Sequence, residues 1–286
     1  MTSREVISAH EASGRRFGAA GVGSFVLEEG DGDPVVLLHG VPVSSFLYRK
    51  VVPELASRGL RGVAFDFPGL GLAERPEGFD YSWSGLASWT GAAIEALGIE
   101  RCHLVVHDLG GPVGFEWAIR NPERVLSLTA LNTWVDAASF HRPWPMHPFS
   151  IRGVGEFWLR GTPKFVACEL FSLQGIENRR ATPRSEVMAQ IELLRRDDNG
   201  DAFLKIMRGF ELTEAKQRFF LEGLAAATCP RQVVWGEKDR MIKQPHRLAL
   251  QRALAVENPT LLPAKHFLQE DQAPAIAGAV ATLAAG

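Results

Sequence analysis

The segment Val105-Val106-His107-Asp108-Leu109-Gly110-Gly111 sets one acidic residue between an apolar run and a pair of glycines. An apolar strand that enters a tight turn and leaves it as a helix holds its apex residue bare at the end of a sheet, the layout of a nucleophile elbow. Small residues behind the apex let the backbone pack closely. The Leu109 N–H is placed to help stabilise an oxyanion, and a helix N-terminus favours negative charge at the same point. The apex here is Asp108. A carboxylate, with a reference pKa of ~3.9, is ionised at neutral pH and needs no base for its own attack. It suits displacement at a saturated carbon that carries a leaving group, with an alkyl–aspartyl ester as product. A histidine-activated water would then attack the ester carbonyl, and oxyanion donors would serve that second step. Alone, the segment reads equally well as a helix with Asp108 as its N-cap.

Three other segments favour the chemical reading. His39-Gly40-Val41-Pro42 follows an apolar run and is placed to offer the Val41 N–H as a second oxyanion donor. Val233-Val234-Trp235-Gly236-Glu237-Lys238-Asp239 puts an acid in a loop after a late strand. Lys265-His266-Phe267-Leu268 puts a histidine after the last strand, with a helix directly behind it. Each alone reads as an ordinary turn. Together they give the chain order nucleophile, acid, histidine.

The elements that must carry these residues alternate. Strands are expected over 24–28, 35–38, 62–65, 102–106, 125–131, 232–235 and 259–262, most of them apolar runs that end at a polar residue. Leu86, Trp89, Ala93 and Leu97 form one helical stripe closed by Gly98, and further helices are expected over 110–120, 245–255 and 269–284. Such alternation predicts an α/β architecture, a mostly parallel sheet with helices on both faces and sites at the carboxyl ends of the strands. Residues 134–228 contain no convincing strand. They divide the chain into a first core part (1–133), a helical insertion (134–228) and a second core part (229–286).

Composition excludes other classes. The chain has 286 residues, 46% apolar and 22% charged, with 31 basic and 33 acidic side chains. A formal net charge of −2 lacks the footprint of a nucleic-acid or anionic-membrane binder, which leaves a small molecule as the expected partner. No apolar run approaches the ~20 residues that span a bilayer. Residues 1–20 read as a ragged polar lead-in without the apolar core of a secretion signal, so a cytoplasmic location is expected. Cys102, Cys168 and Cys229 are sparse and odd in number, which suits reduced thiols rather than a disulfide framework or a metal site. No metal or other cofactor is expected, and oligomeric state is not readable.

The stretch from His39 through Val43-Ser44-Ser45-Phe46-Leu47-Tyr48 to Arg49, the loop Asp66-Phe67-Pro68-Gly69-Leu70-Gly71, the elbow and His266-Phe267-Leu268-Gln269-Glu270-Asp271 together resemble the haloalkane dehalogenase and epoxide hydrolase branch of the α/β-hydrolases, the dehalogenases more closely. The resemblance covers about residues 22–283. It implies an α/β-hydrolase fold with a helical cap and a cofactor-independent hydrolase. Asp108 would be nucleophile, His266 the base and Asp239 its orienting acid, with Val41 and Leu109 forming the oxyanion hole. Asp136 is a rival acid, because some relatives place theirs after the sixth strand, where Asn132 holds the nearer position.

Departures from the family pattern bear on the reaction. Dehalogenases of this family carry Trp directly after the nucleophile and many carry Asn third in the His-Gly motif, both donors to the departing halide. Here these positions are Leu109 and Val41. Loss of two donors to a developing charge costs several kcal/mol, on the order of a few per donor. Trp134, Trp144, Trp158, His141 and His147 are candidate replacements, although each also reads as packing between cap and core. His39, His107 and Phe267 complete the pocket candidates. Epoxide hydrolases use cap tyrosines, but Tyr48 and Tyr81 both precede the cap, so His141 or His147 would have to act as acid. Leu109 also differs from the Arg of the fluoroacetate dehalogenase pattern, so an apolar pocket is expected. The alternatives are epoxide opening with a non-tyrosine acid, or a ligand-binding protein of this fold with low turnover.

Overall fold

The computed structural model describes residues 1–286. Its eight strands are β1 (Arg15–Ala19), β2 (Val22–Glu29), β3 (Pro34–Leu38), β4 (Arg61–Phe65), β5 (Cys102–His107), β6 (Val125–Leu131), β7 (Arg231–Gly236) and β8 (Thr260–Leu262). They form one sheet in the order β1-β2-β4-β3-β5-β6-β7-β8. The pairs β1–β2 and β2–β4 are antiparallel, and every pair from β4 to β8 is parallel. Connections between parallel strands must cross over, and here they do so through helices.

The sheet is buried on both faces because its central strands are largely apolar, and the polar residues they carry, such as His103 with Ser127 and Thr129 with Gln232, hydrogen-bond to one another. Val36, Leu38, Leu104 and Val106 pack on one face with Trp83, Trp117 and Phe220, from the helices Trp83–Ala96, Gly110–Arg120 and Glu214–Ala226. Val35, Leu37 and Val105 pack on the other, against Val51 and Val52 of Val51–Ala56 and Ile276 and Val280 of Ala273–Ala284. Successive residues point to opposite faces of a strand, so two cores arise from one uninterrupted run.

Register brings the chemistry to one edge. Leu38 pairs with Val106, His107 with Leu131, Leu131 with Val234 and Gly236 with Leu262. The loops that follow β3, β5, β6, β7 and β8 therefore leave side by side. Between β6 and β7 the chain forms the helices Val154–Gly161, Lys164–Gly175, Arg184–Arg195, Asp201–Arg208 and Glu214–Ala226, and no strand. No helix is long and apolar enough to cross a membrane.

Two expectations are corrected. Residues 1–20 are not a ragged lead-in. A helix, Ser3–Ala12, opens with a capping box between Thr2 and Glu5, and β1 follows it as half of a hairpin. The hairpin turn is Ala20-Gly21, both at positive φ (47° and 76°), the conformation that a two-residue hairpin loop needs. The last expected helix is two, Leu268–Asp271 and Ala273–Ala284, interrupted at Gln272 (φ −134°) ahead of Pro274.

Candidate active site

The elbow is held by its backbone. Asp108 has φ +50°, a left-handed conformation that costs an L-residue roughly 1–2 kcal/mol. Its N–H donates to Asn132 O (3.2 Å), and its carbonyl accepts from Gly111 N (2.9 Å) and Thr133 Oγ1 (2.7 Å). A Cβ at Gly110 would collide with Leu38 O, and one at Gly40 with the Asp108 carboxylate. Glycine at both positions is what lets the β3 loop and the elbow touch. The N-cap of Gly110–Arg120 is Leu109, with no side-chain cap bond. The Asp108 carboxylate is thus directed elsewhere. Oδ1 accepts from Val41 N at 2.8 Å, and Oδ2 faces His266 Nε2 at 3.4 Å.

The other side of His266 meets Asp239, Nδ1 to Oδ2 at 2.9 Å. Asp239 Oδ2 also accepts from Asn132 Nδ2 (2.6 Å), while Oδ1 accepts from the N–H groups of Met241 (2.6 Å) and Ile242 (3.1 Å). Asn132 is itself fixed, since its Oδ1 accepts from Gly236 N at 2.8 Å. Asp136 lies apart from this chain of bonds and pairs with His246 Nδ1 at 2.8 Å. Burial disfavours an imidazolium at His266, but Asp239 and Asp108 outweigh it and hold its pKa up at about 10. Burial pushes Asp108 upward in turn, and the bond and charge of His266 more than reverse that.

Two other histidines are structural. The Nδ1 of His39 lies 2.8 Å from Gly40 O and must donate to it, and Nε2 accepts from Phe67 N at 3.1 Å. That pattern defines a neutral ring, and full burial lowers its pKa accordingly. His107 Nε2 sits 2.9 Å from His266 O and donates to it, while burial pulls its pKa down to about 3. Both rings brace loops, and neither lines the space over Asp108, contrary to expectation.

Buried polar bonds set the loops. Asp66, at the end of β4, accepts from Ser45 N and Leu72 N, each at 2.7 Å, which fixes the chain after the His39-Gly40 turn. Glu270, four residues beyond His266, receives Arg49 through two bonds (2.6 and 2.8 Å) and Lys50 at 2.9 Å. Arg49 also pairs with Glu186 of the insertion. Burial pushes the Glu270 carboxyl up, but Arg49 and Lys50 prevail and hold it low.

Three neighbouring spaces share lining residues, and one of them contains the carboxylate. A narrow chamber of about 20 Å³ is lined by Asp108, His266, Val41, Trp134, Phe210 and Arg142, among others. It shares Met146 and Met241 with an apolar slot of about 110 Å³, which includes Trp158, Phe171 and Phe267. It shares Arg142, Pro143 and Met241 with an outer vestibule of about 610 Å³, where His141 and Trp144 lie. The chamber volume admits about one water, so a substrate must displace the methionines, whose unbranched chains adapt readily. Of the expected pocket residues, Trp134, Trp158, Phe267, His141 and Trp144 line these spaces. His147 lines none of them and is exposed, and it is Phe149 of the same short 3₁₀ turn, His147–Ser150, that turns inward to line the slot. Both tyrosines turn away, Tyr48 donating to Leu38 O and Tyr81 to Pro76 O, each at 3.0 Å.

Sequence reading gave Asn132 no role beside Asp239 and did not single out Arg142. The first had a detectable signal, an amide at the end of a buried strand. The second, a lone arginine in an irregular loop, had none.

A family model described as alpha/beta hydrolase fold matches residues 33–166. A haloalkane dehalogenase 2 of Mycobacterium bovis is 30% identical over 270 residues, 89% of this chain and 88% of that protein. Among solved structures, Cfl2 of Burkholderia cenocepacia superposes with a TM-score of 0.83 at 23% identity, over 93% of this chain and 94% of its own. The epoxide hydrolase VrEH1 of Vigna radiata does so with a TM-score of 0.76 at 23% identity, over 93% and 95%. The chain belongs to the haloalkane dehalogenase and epoxide hydrolase branch of the α/β-hydrolase superfamily.

Proposed function

We propose that the protein is a dehalogenase-like hydrolase that works without a cofactor through an ester on Asp108. An Asp108 oxygen forms a bond to a saturated carbon, and the carbon–halogen bond breaks with its electron pair leaving on the halide. Water then adds to the ester carbonyl and gives its proton to His266. The oxyanion is held by the N–H groups of Val41 and Leu109. Collapse expels the alkoxide, which takes the proton from His266 and leaves as the alcohol. The restored carboxyl returns its own proton to His266, and the proton that His266 gave up to solvent after alkylation is the net acid equivalent. The observation that carries this reading is the orientation of Asp108, with one oxygen on the Val41 N–H and the other toward His266 at 3.4 Å rather than on the helix it precedes.

The electrostatics give the two steps their order. With both carboxylates ionised, His266 holds its proton, its pKa up at about 10. Alkylation makes Asp108 neutral and removes one of the two charges that retain that proton. The pKa then falls, and His266 becomes a base only once there is an ester to hydrolyse. Asp239, kept by Asn132 and two backbone N–H groups, orients the ring throughout. Trp134 is a candidate donor to the leaving halide, since it lines the chamber and its buried Nε1 has no protein partner.

The decisive experiment is His266→Gln exposed to 1-bromohexane. The expected result is a stable mass increase of one hexyl group that maps to Asp108. Turnover that persists without His266, or an adduct on another residue, overturns the reading. Saturable binding with no adduct would favour a ligand-binding role instead.

A further inference from the structure

The vestibule carries more positive charge than the slot, which has Arg195 alone. Arg142, Arg240 and Lys243 line it together with His141 and His246, and no Asp or Glu lines it. None of these three cations has a carboxylate within 4.0 Å, and Asp136, the partner of the vestibule's His246, is taken up by that pair. Arg142 reaches furthest in. It lines both the vestibule and the chamber that holds Asp108 and His266. Its guanidinium sits over the Phe210 ring (4.7 Å) and donates one N–H to Met207 O (2.7 Å), yet its buried Nε has no partner. A cation drawn partly out of water without a counter-charge is unfavourable, and burial lowers its pKa accordingly. The slot is lined mainly by apolar side chains, Phe171, Phe267, Trp158 and Leu159 among them, and Arg195, which donates to Thr162 O at 3.0 Å, is its one charged residue.

We infer that the substrate is an amphiphilic anion, with a carboxylate held by Arg142 at the inner end of the vestibule and an apolar chain in the slot, so that its electrophilic carbon lies between them at Asp108. This rests on the proposed role of Asp108 for the chemistry, but the recognition of charge does not. A carboxylate accepts two bonds from a guanidinium, and Arg142, which lines the chamber, has a buried N–H without a protein partner. Arg240 and Lys243 at the rim concentrate anions at the mouth, an effect that salt screens over about 10 Å at ~0.1 M.

The test pairs two compounds that differ only in the carboxylate, 2-bromooctanoate and 2-bromooctane. In His266→Gln, which halts at the ester, the second-order rate of Asp108 alkylation is expected to be about tenfold or more higher for the acid. The ratio should fall toward one in an Arg142→Gln, Arg240→Gln, Lys243→Gln triple variant and recover in part with Arg142→Lys. It should also fall as salt is raised. A second arm is independent of the reaction. Octanoate should quench tryptophan fluorescence at about tenfold lower concentration than 1-octanol, and the triple variant should lose that advantage. Equal alkylation rates, or an octanoate advantage that survives in the folded triple variant, overturn the inference while leaving the hydrolase reading intact. No alkylation by either compound, with charge-dependent octanoate binding preserved, overturns the hydrolase reading and leaves the vestibule assignment standing.

Discussion

The carboxylate pair around His266 and the cations of the vestibule lie a few residues apart in space and obey opposite rules. At the former, most polar atoms have protein hydrogen-bond partners. Asp239 takes four donors, Asn132 is itself tied to Gly236, and Asp108 is pinned through its own N–H and carbonyl. At the latter, Arg142 keeps an unused buried N–H, and Arg240 and Lys243 have no ion-pair partner. Groups that must hold one geometry through a reaction are saturated by the protein. Groups that must accept something from outside are left incomplete. On the proposed reading, that difference in hydrogen-bond completeness marks the acids around His266 as positioned groups and Arg142 as a group free to meet a ligand.

The strongest way to break that contrast is at its centre. Asp108→Ala should remove adduct formation altogether, and Asp239→Asn should lower turnover by on the order of 10⁴, because an amide cannot hold the same tautomer. Intact mass and halide release read these directly. Asn132→Ala should cost about tenfold in turnover through loss of one bond to Asp239, with alkylation in a His266→Gln background nearly unchanged. If Asn132→Ala slows alkylation as much as turnover, its role is general packing rather than positioning.

Proton linkage sharpens the same comparison. The folded pKa of His266, about 10, lies above its ordinary 6.5. Its proton thus contributes stability that is fully present below pH 6.5 and lost as pH rises through about 10. Urea midpoints should fall across that window. In Asp108→Asn the imidazole pKa should move down, visible by NMR of the ring, and the fall in midpoint should shrink. The vestibule predicts the smallest effect. Arg240→Gln at the exposed rim should alter reaction with an anionic substrate a few-fold, in a salt-dependent manner, and leave stability within about 0.5 kcal/mol.

Much of this was legible from residue order. Runs such as Val35–Leu38 and Leu104–Val106 are apolar at every position, and only a strand buried on both faces accommodates that, so their polar ends had to share one edge. Glycines at 40 and 110 marked where two such ends touch. The helix and strand before residue 20 were missed because Thr2, Glu5 and Ala20-Gly21 act through local caps and turn angles, with little apolar periodicity behind them. Arg142 was not legible because its meaning depends on which carboxylates are absent around it, a property of the assembled surface. The resolution of Asp239 from Asp136 likewise depended on loop directions, with His246 drawing the latter away.

Phe267, immediately after His266, stacks on Phe171 of the insertion at 4.3 Å, and Gly175 packs so closely on the Phe267 ring that a methyl group there would not fit. Glu186 of the insertion meets the same Arg49 that grips Glu270. The roof is thereby dovetailed to the peptide that carries the imidazole. Chimeras that transplant a roof from a relative should lose imidazole alignment along with pocket shape, unless positions 49, 171, 175, 186, 267 and 270 travel as one set.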